Sequence, residues 1–423
     1  MSKLTFAQKA LAHASGRDSV QEGEVVFVDP DVCLSHDNSA AIASNFSAIG
    51  VDRVRYPSRI FIALDHCVPA ANEKYAANHR RVRDFVRNQR IEAFFDVERG
   101  VCHQVLAEEG FAVPGGIVVG SDSHTCTAGA FGAFAVGIGR TEAAAVWASG
   151  RIWMRVPATI RIELSGEFPP GVCAKDLALK IIGDIGADGA LYRSVEFAGD
   201  GVSNLSMSDR MLLCNMAAEM GAKNAVFAPD EETERWLAQC SPRYDRVDLR
   251  ADEDATCERT LHYELTGLVP GLACPHTVDN YATASQKAGT VVHQALIGTC
   301  TNGRIEDLRV AAEVLRGRKV AYGTRLLVFP ASNRVAKQMY DEGLHEVFLE
   351  AGAVLMNPGC GPCLGAHEGA LAPGEACIST ANRNFRGRMG CKESFIYLAS
   401  PATVAASSVA GSIADPRPDG GVL

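Results

Sequence analysis

From Val291 onward the chain repeats one rhythm: an apolar strand (Val291 to Ile297), a glycine-rich loop, a helix (Ile305 to Leu315), a strand (Leu326 to Phe329) and a second helix (Asn333 to Glu342). Strand, helix and strand in that order predict parallel βαβ units, because parallel neighbours need a crossover and a helix supplies it. The consequence is a layered α/β fold in which loops at the carboxyl ends of strands carry the chemistry.

Two earlier stretches share this character. The first, to Pro157, holds the apolar runs Ile60-Phe61-Ile62-Ala63-Leu64 and Gly116-Ile117-Val118-Val119, separated by amphipathic stretches such as Asn78 to Phe95. The second opens on the alternating strand Ala158 to Leu164, contains helices predicted at Ala174 to Ile182 and Asp209 to Met220, and ends near Ala284. No internal repeat or long linker marks a boundary, so α/β units of 1–157, 158–284 and 285–423 are expected from changes of pattern alone. A chain of 423 residues, at ~150 residues per domain, agrees with two to three such units.

Several loops that follow predicted strands are chemically loaded: Asp65-His66, Asp122-Ser123-His124, Cys300 and Cys360. Ligands of open α/β sheets bind outside the carboxyl ends of strands, so these loops are expected to share one cleft.

The cysteine loops are the most specific of them. Gly298-Thr299-Cys300-Thr301-Asn302-Gly303-Arg304 and Asn357-Pro358-Gly359-Cys360-Gly361-Pro362-Cys363-Leu364-Gly365 offer a Cys-x-x-Cys pair plus one distant cysteine. Three thiolates are one short of a closed tetrahedral zinc site or an electron-transfer iron–sulfur cube, which leaves a metal position open for chemistry. Glycine and proline around them let the backbone turn tightly and stay clear of a cluster. Spacing alone leaves open half a zinc knuckle, or free cysteines buried as small hydrophobes.

Composition excludes several classes. A formal charge of -9 disfavours a nucleic-acid or anionic-membrane partner, while a local arginine cluster still suits a small acid. Fourteen cysteines and an N-terminal Met1 to Lys9 without an apolar signal core point to a reducing cytoplasm. The weakly charged stretch Ser123 to Gly139 is broken by His, Thr and glycines, so no membrane span is expected.

Asp122-Ser123-His124 is not a hydrolase triad, since no G-x-S-x-G elbow is present and triad members come from separate segments. With Asp65-His66 and His103 it offers three histidines, and carboxylates at Asp65, Asp122 and Glu219 would set their tautomers for proton transfer. Asn215 and Glu219 lie four apart on a predicted helix and so share a face, which a plain core helix would also show. Asn382-Arg383-Asn384-Phe385-Arg386-Gly387-Arg388 presents three forked guanidinium groups, suited to a di- or tricarboxylic acid or else a basic surface loop. Phosphate-loop, dinucleotide and H-E-x-x-H signatures are absent.

Taken together and in order, Gly120 to Thr125, Gly298 to Arg304, Gly359 to Gly365 and Asn382 to Arg388 resemble the aconitase superfamily across nearly the whole chain. The run Gly303-Arg304-Ile305-Glu306-Asp307-Leu308-Arg309 resembles the branch of 3-isopropylmalate dehydratase, homoaconitase and dimethylmalate dehydratase large subunits. The resemblance implies three α/β units around a 4Fe-4S cluster held by Cys300, Cys360 and Cys363, with one open iron as Lewis acid. It implies that Asp65-His66 protonates a departing hydroxyl, that His103 with Asp122 and His124 with Glu219 form supporting pairs, and that Ser123 joins them. Asn215 and Asn382 would sit beside the cluster, and Arg383 and Arg388 would hold a substrate carboxylate.

The same resemblance implies that the fourth, swivelling domain of single-chain aconitases, with the proton-abstracting base, comes from a separate small subunit. The large chain alone would then be inactive. His36-Asp37-Asn38 stands where single-chain aconitases carry Gln-Asp, which speaks against citrate. A binding protein for RNA, as some aconitase relatives become, is disfavoured by the negative charge.

Overall fold

The computed structural model describes residues 3–365 and 368–417; Met1 and Ser2 of the N-terminal segment, and the last residues of the 285–423 stretch, lie outside the described residues.

Five parallel strands form the first main sheet, in the spatial order Ala93–Phe95, Ile60–Ala63, Val32–Ser35, Ile117–Gly120 and Phe134–Gly137. Its inner strands are buried along their length, which is why they read as continuous apolar runs rather than as alternation. Side chains still alternate between faces: Val32, Leu34, Phe61 and Val118 join one core, while Cys33, Ile60, Ile62 and Val119 join another. The first of these cores continues into Ile160 and Leu296, so one face of this sheet packs against the rest of the molecule.

A second sheet, all parallel, orders its strands Asn224–Phe227, Ser194–Ala198, Thr159–Ser165 and Arg259–Glu264. The third has seven strands: Phe395–Leu398, Ala376–Ser379, Gln294–Gly298, Arg325–Phe329 and Val354–Leu355 run parallel, and a hairpin of Gly271–Ala273 and Tyr281–Thr283 joins antiparallel beside Phe395–Leu398. That hairpin lies inside the 158–284 stretch read as the second unit, yet its hydrogen bonds belong to the third sheet. A short ribbon, Val25–Val28 with Ile152–Arg155, completes the sheets among the described residues.

Several element boundaries differ from the sequence reading: the strand expected over Val291 to Ile297 is Gln294–Gly298, and the helix expected over Ala174 to Ile182 runs on to Ile185. The amphipathic stretch placed at Asn78 to Phe95 is a helix, Glu73–Gln89, that stops at Arg90 with φ 59, followed by the strand Ala93–Phe95. A left-handed cap ends the helix, and aromatic residues suit the following strand. The helix expected over Asp209 to Met220 runs Met207–Ala217, and Ala218–Met220 tightens into a 3-10 turn. Asn215 and Glu219 therefore sit on successive elements rather than on one regular helical face.

Candidate active site

Strand order places the chemistry. In the first sheet the chain leaves Val32–Ser35 toward one edge and returns at Ile117–Gly120 on its other side, so the carboxyl ends of these neighbours form a switch-point crevice. His36-Asp37 follows the first strand and Asp122-Ser123-His124 the second. The third sheet has the equivalent crevice between Gln294–Gly298 and Ala376–Ser379, which are followed by Cys300 and by Asn382-Arg383. Both crevices open on one cleft of about 880 Å³, lined by His66, His103, Asp122, His124, Cys300, Cys360, Cys363, Asn382, Arg383 and Arg388 among others.

Asp37 builds the turn after Ile60–Ala63. Its Oδ2 accepts the N–H groups of Asp65 at 2.9 Å and His66 at 2.8 Å, and its Oδ1 accepts that of Cys67 at 3.2 Å and lies 2.9 Å from His79 Nε2. Burial acts to raise the Asp37 carboxyl, but the His79 bond and the His66 and His36 charges outweigh it and hold it well below the carboxylate range. Asp65 is fully buried; its Oδ1 lies 2.6 Å from His66 Nδ1 and its Oδ2 accepts the N–H of Cys102 at 2.7 Å. Burial disfavours a charged His66, yet the Asp65 charge and bonds from Asp122 and Asp65 prevail, so its imidazolium persists well above the usual range. His36 stacks on that ring with centroids 3.9 Å apart, and burial with the His66 charge lowers it to about 4. One ring of the stack thus favours the imidazolium and the other the neutral imidazole.

Asp122 is the hub of the opposite wall. Its Oδ1 lies 2.8 Å from His103 Nε2 and accepts the N–H of His124 at 2.8 Å, while its Oδ2 is 3.6 Å from His66 Nε2. Against burial, these histidines keep its carboxyl well below the ordinary value. His124 Nε2 pairs with Glu219 Oε1 at 2.7 Å, and burial is again outweighed by the two carboxylates so that His124 is raised. Arg383 Nε donates to both Glu219 oxygens at 2.8 and 3.0 Å, and its terminal nitrogen donates to Ser123 Oγ at 2.9 Å.

On the third wall Cys300 sits in the short helical turn Thr299–Asn302, which follows Gly298, whose φ of 138 and approach to Phe329 leave no room for a side chain. Thr299, buried and β-branched, is held at φ 70, a strained conformation just before the cysteine. Asn215 and Asn382 each donate an amide N–H to Cys300 Sγ at 3.3 Å, and Asn382 donates to Asn215 Oδ1 at 3.2 Å. Arg304, also buried, donates to the Cys300 carbonyl at 2.8 Å and the Thr301 carbonyl at 2.8 Å, fixing the turn from behind. The second cysteine loop is tied across the cleft by the Cys360 N–H, which donates to the Asp65 carbonyl at 2.9 Å. A terminal nitrogen of Arg388 lies 3.9 Å from Cys363 Sγ, while its buried Nε has no hydrogen-bond partner among the described residues.

Asp65, His66, His103, Asp122, Ser123, His124, Asn215, Glu219, Cys300, Cys360, Cys363, Asn382, Arg383 and Arg388 are thus gathered at one site. Arg386, the third guanidinium of its segment, is exposed and not among the lining residues. Asp37 went unassigned, although an acid directly after an apolar strand is the same signal that singled out Asp65 and Asp122. Gln104, which accepts from Arg304 Nε at 3.1 Å, and the buried Lys175 had no sequence signal.

The model of the aconitase family (aconitate hydratase) matches residues 8–411. The chain belongs to the aconitase family. It is 50% identical over 414 residues to the probable 3-isopropylmalate dehydratase large subunit of Methanothermobacter thermautotrophicus, covering 98% of this chain and 99% of that one. It is 50% identical over 415 residues to 3-isopropylmalate dehydratase large subunit 1 of Methanopyrus kandleri, with 98% and 99% covered. The probable methanogen homoaconitase large subunit of Methanosarcina mazei is 48% identical over 398 residues, covering 93% of this chain and all of that protein. Among solved structures, Thermococcus kodakaraensis aconitase X in its holo form shares the fold at a TM-score of 0.52 and 13% identity, over 90% of this chain and 89% of that one.

Aconitase-family membership implies a 4Fe-4S cluster, and this donor set fits one. Two amide N–H groups aimed at a buried sulfur are the kind of hydrogen bond that stabilises and tunes a thiolate ligand. Burial pushes the Cys300 thiol up to about 12, so cluster formation must displace its proton. No helix of the described residues is long and apolar enough to cross a membrane.

Proposed function

We propose that this chain is the cluster-binding large subunit of a hydro-lyase that interconverts 2-isopropylmalate and 3-isopropylmalate by dehydration and rehydration. The observation that carries the reading is the meeting, in one cleft, of three cysteines, an imidazolium held by two carboxylates, and an arginine fork whose buried Nε has no partner among the described residues. Cys300, Cys360 and Cys363 would hold the cluster, which when bound supplies a Lewis acid to a substrate hydroxyl.

The chain's own residues supply the rest. Arg388 offers a planar fork to a substrate carboxylate, and Arg383, oriented by Glu219 and Ser123, offers a second donor surface. His66, held protonated by Asp65 and Asp122, delivers its proton to the departing hydroxyl. The His103–Asp122 and His124–Glu219 pairs fix ring orientation and keep the wall's charges balanced. Asn215 and Asn382 orient the Cys300 sulfur.

The relatives' designation as large subunits supports a separate small subunit carrying the swivelling domain and the proton-abstracting base. A small hydroxy diacid fits the cationic fork. Relatives named homoaconitase large subunits, at 46% and 48% identity, support homocitrate chemistry as the second reading. An anaerobic ultraviolet assay of the chain co-purified with its small subunit tests both: preferential formation of the unsaturated acid from isopropylmalate supports the first, and preference for homocitrate transfers the site to the second. Turnover of neither acid overturns both.

A further inference from the structure

Lys175 is fully buried in the second position of the helix Ala174–Ile185, whose N-cap is Cys173. Two costs oppose an ammonium there: removal from water, and the positive end of the helix dipole. Among the described residues no carboxylate lies within ion-pair distance of it. Its Nζ instead donates to the carbonyls of Thr380 at 2.8 Å and Ala381 at 2.7 Å, and lies 3.8 Å from Met216 Sδ.

These partners are the immediate neighbours of the two asparagines on Cys300 Sγ: Ala381 precedes Asn382 and Met216 follows Asn215. The Thr380 carbonyl also accepts the Thr301 hydroxyl at 2.5 Å, and Thr380 Oγ1 accepts the Gly298 N–H at 2.9 Å. Lys175 therefore joins the second sheet's helix to the Thr380–Ala381 turn and to the helix Met207–Ala217, the segments that carry the two asparagines. Burial lowers the Lys175 ammonium to about 8, and negative charge on Cys300, Cys173 and Cys363 acts against that fall.

We propose that Lys175 is a positioning residue for this site: it holds the Thr380–Asn382 turn against Cys300 and supplies the buried positive charge that offsets the cluster's thiolates. The inference rests on the cluster assignment above. A cation fixed behind the sulfurs favours the reduced, more negative state of a cluster, and its removal disfavours that state.

The full chain and its K175M, K175R and K175Q variants are loaded anaerobically with iron and sulfide, and cluster content and midpoint potential are read by electron paramagnetic resonance without substrate. K175M is expected to shift the one-electron equilibrium at least tenfold toward the oxidised form, equal to 59 mV, with K175R restoring most of the difference. Should K175M not accumulate, K175R and K175Q are compared, since both donate hydrogen bonds and differ in charge. A charge-neutral variant at the wild-type potential overturns this inference alone. A wild-type chain that takes up no iron and sulfide overturns the cluster assignment and this inference with it.

Discussion

Asp37 and His66 are joined through the backbone: the Asp37 carboxylate accepts the His66 N–H at 2.8 Å while the adjacent Asp65 N–H reaches the same oxygen at 2.9 Å. The ring proposed to deliver a proton is thereby aimed by a residue in the turn that follows a neighbouring strand. Hydrogen bonds to a charged acceptor contribute about 1.5–3 kcal/mol each, so Asp37→Ala, which strands several buried donors, is expected to cost about 3 kcal/mol or more. Because the carboxyl is depressed below its usual 3.8, its contribution is complete above that pH and is lost as pH falls through the lowered value. Thermal melting from pH 7 into acid should show a gap between wild type and variant that closes only under acid; a constant small gap would remove Asp37 from this role.

Asp122→Asn takes away one of the charges that raise His66. The protonated ring persists below its raised pKa and is lost as pH rises through it, so the variant's alkaline limb of kcat is expected to move to lower pH. A pH–rate profile of the loaded heteromer measures it, and an unmoved limb excludes His66 as the proton donor.

Arg388→Lys replaces a fork by a point charge beside Cys363. Loss of one charge-assisted bond implies a KM raised on the order of 10- to 100-fold. Cluster content should stay at the wild-type level. Unchanged kinetics would place the substrate carboxylate elsewhere.

Cys363→Ser removes one of the thiolates proposed to hold the cluster. Iron and acid-labile sulfide are expected to fall together with activity. An iron-free variant that retains activity refutes the ligand assignment.

Much of this site was legible because parallel sheets concentrate chemistry at strand ends. The apolar runs Ile60 to Leu64, Gly116 to Val119 and Val291 to Ile297 are visible in the sequence, and residues just beyond them line or support the cleft. What escaped notice depends on the third dimension. Asp37 stands just beyond an apolar strand, but its role runs through backbone N–H groups that a side-chain pattern does not show, and Lys175 is marked only by burial in a helix that reads as ordinary. The hairpin at 271–283 was assigned by its neighbours in sequence, whereas strand pairing follows the sheet edge it can reach.

Gly298→Ala tests whether the cysteine loop needs its backbone as built. A Cβ there would stand 2.1 Å from the Phe329 carbonyl oxygen, at a φ of 138 that side chains rarely adopt. Gly317 is the control: its φ is 70, and a Cβ would meet nothing within 4 Å. Strain alone costs about 1–2 kcal/mol for an alanine in left-handed geometry, so Gly317→Ala should lower stability by roughly that amount and leave cluster content intact. At Gly298 the clash with backbone adds to the strain and must displace Thr299 and Cys300, because Phe329 belongs to the adjoining strand and cannot yield. The variant is expected to lose more than about 3 kcal/mol and most of its bound iron. Melting curves and iron analysis on both variants decide it: equal losses would mean that only left-handed strain matters, and that the close approach to Phe329 does not hold Cys300 in place.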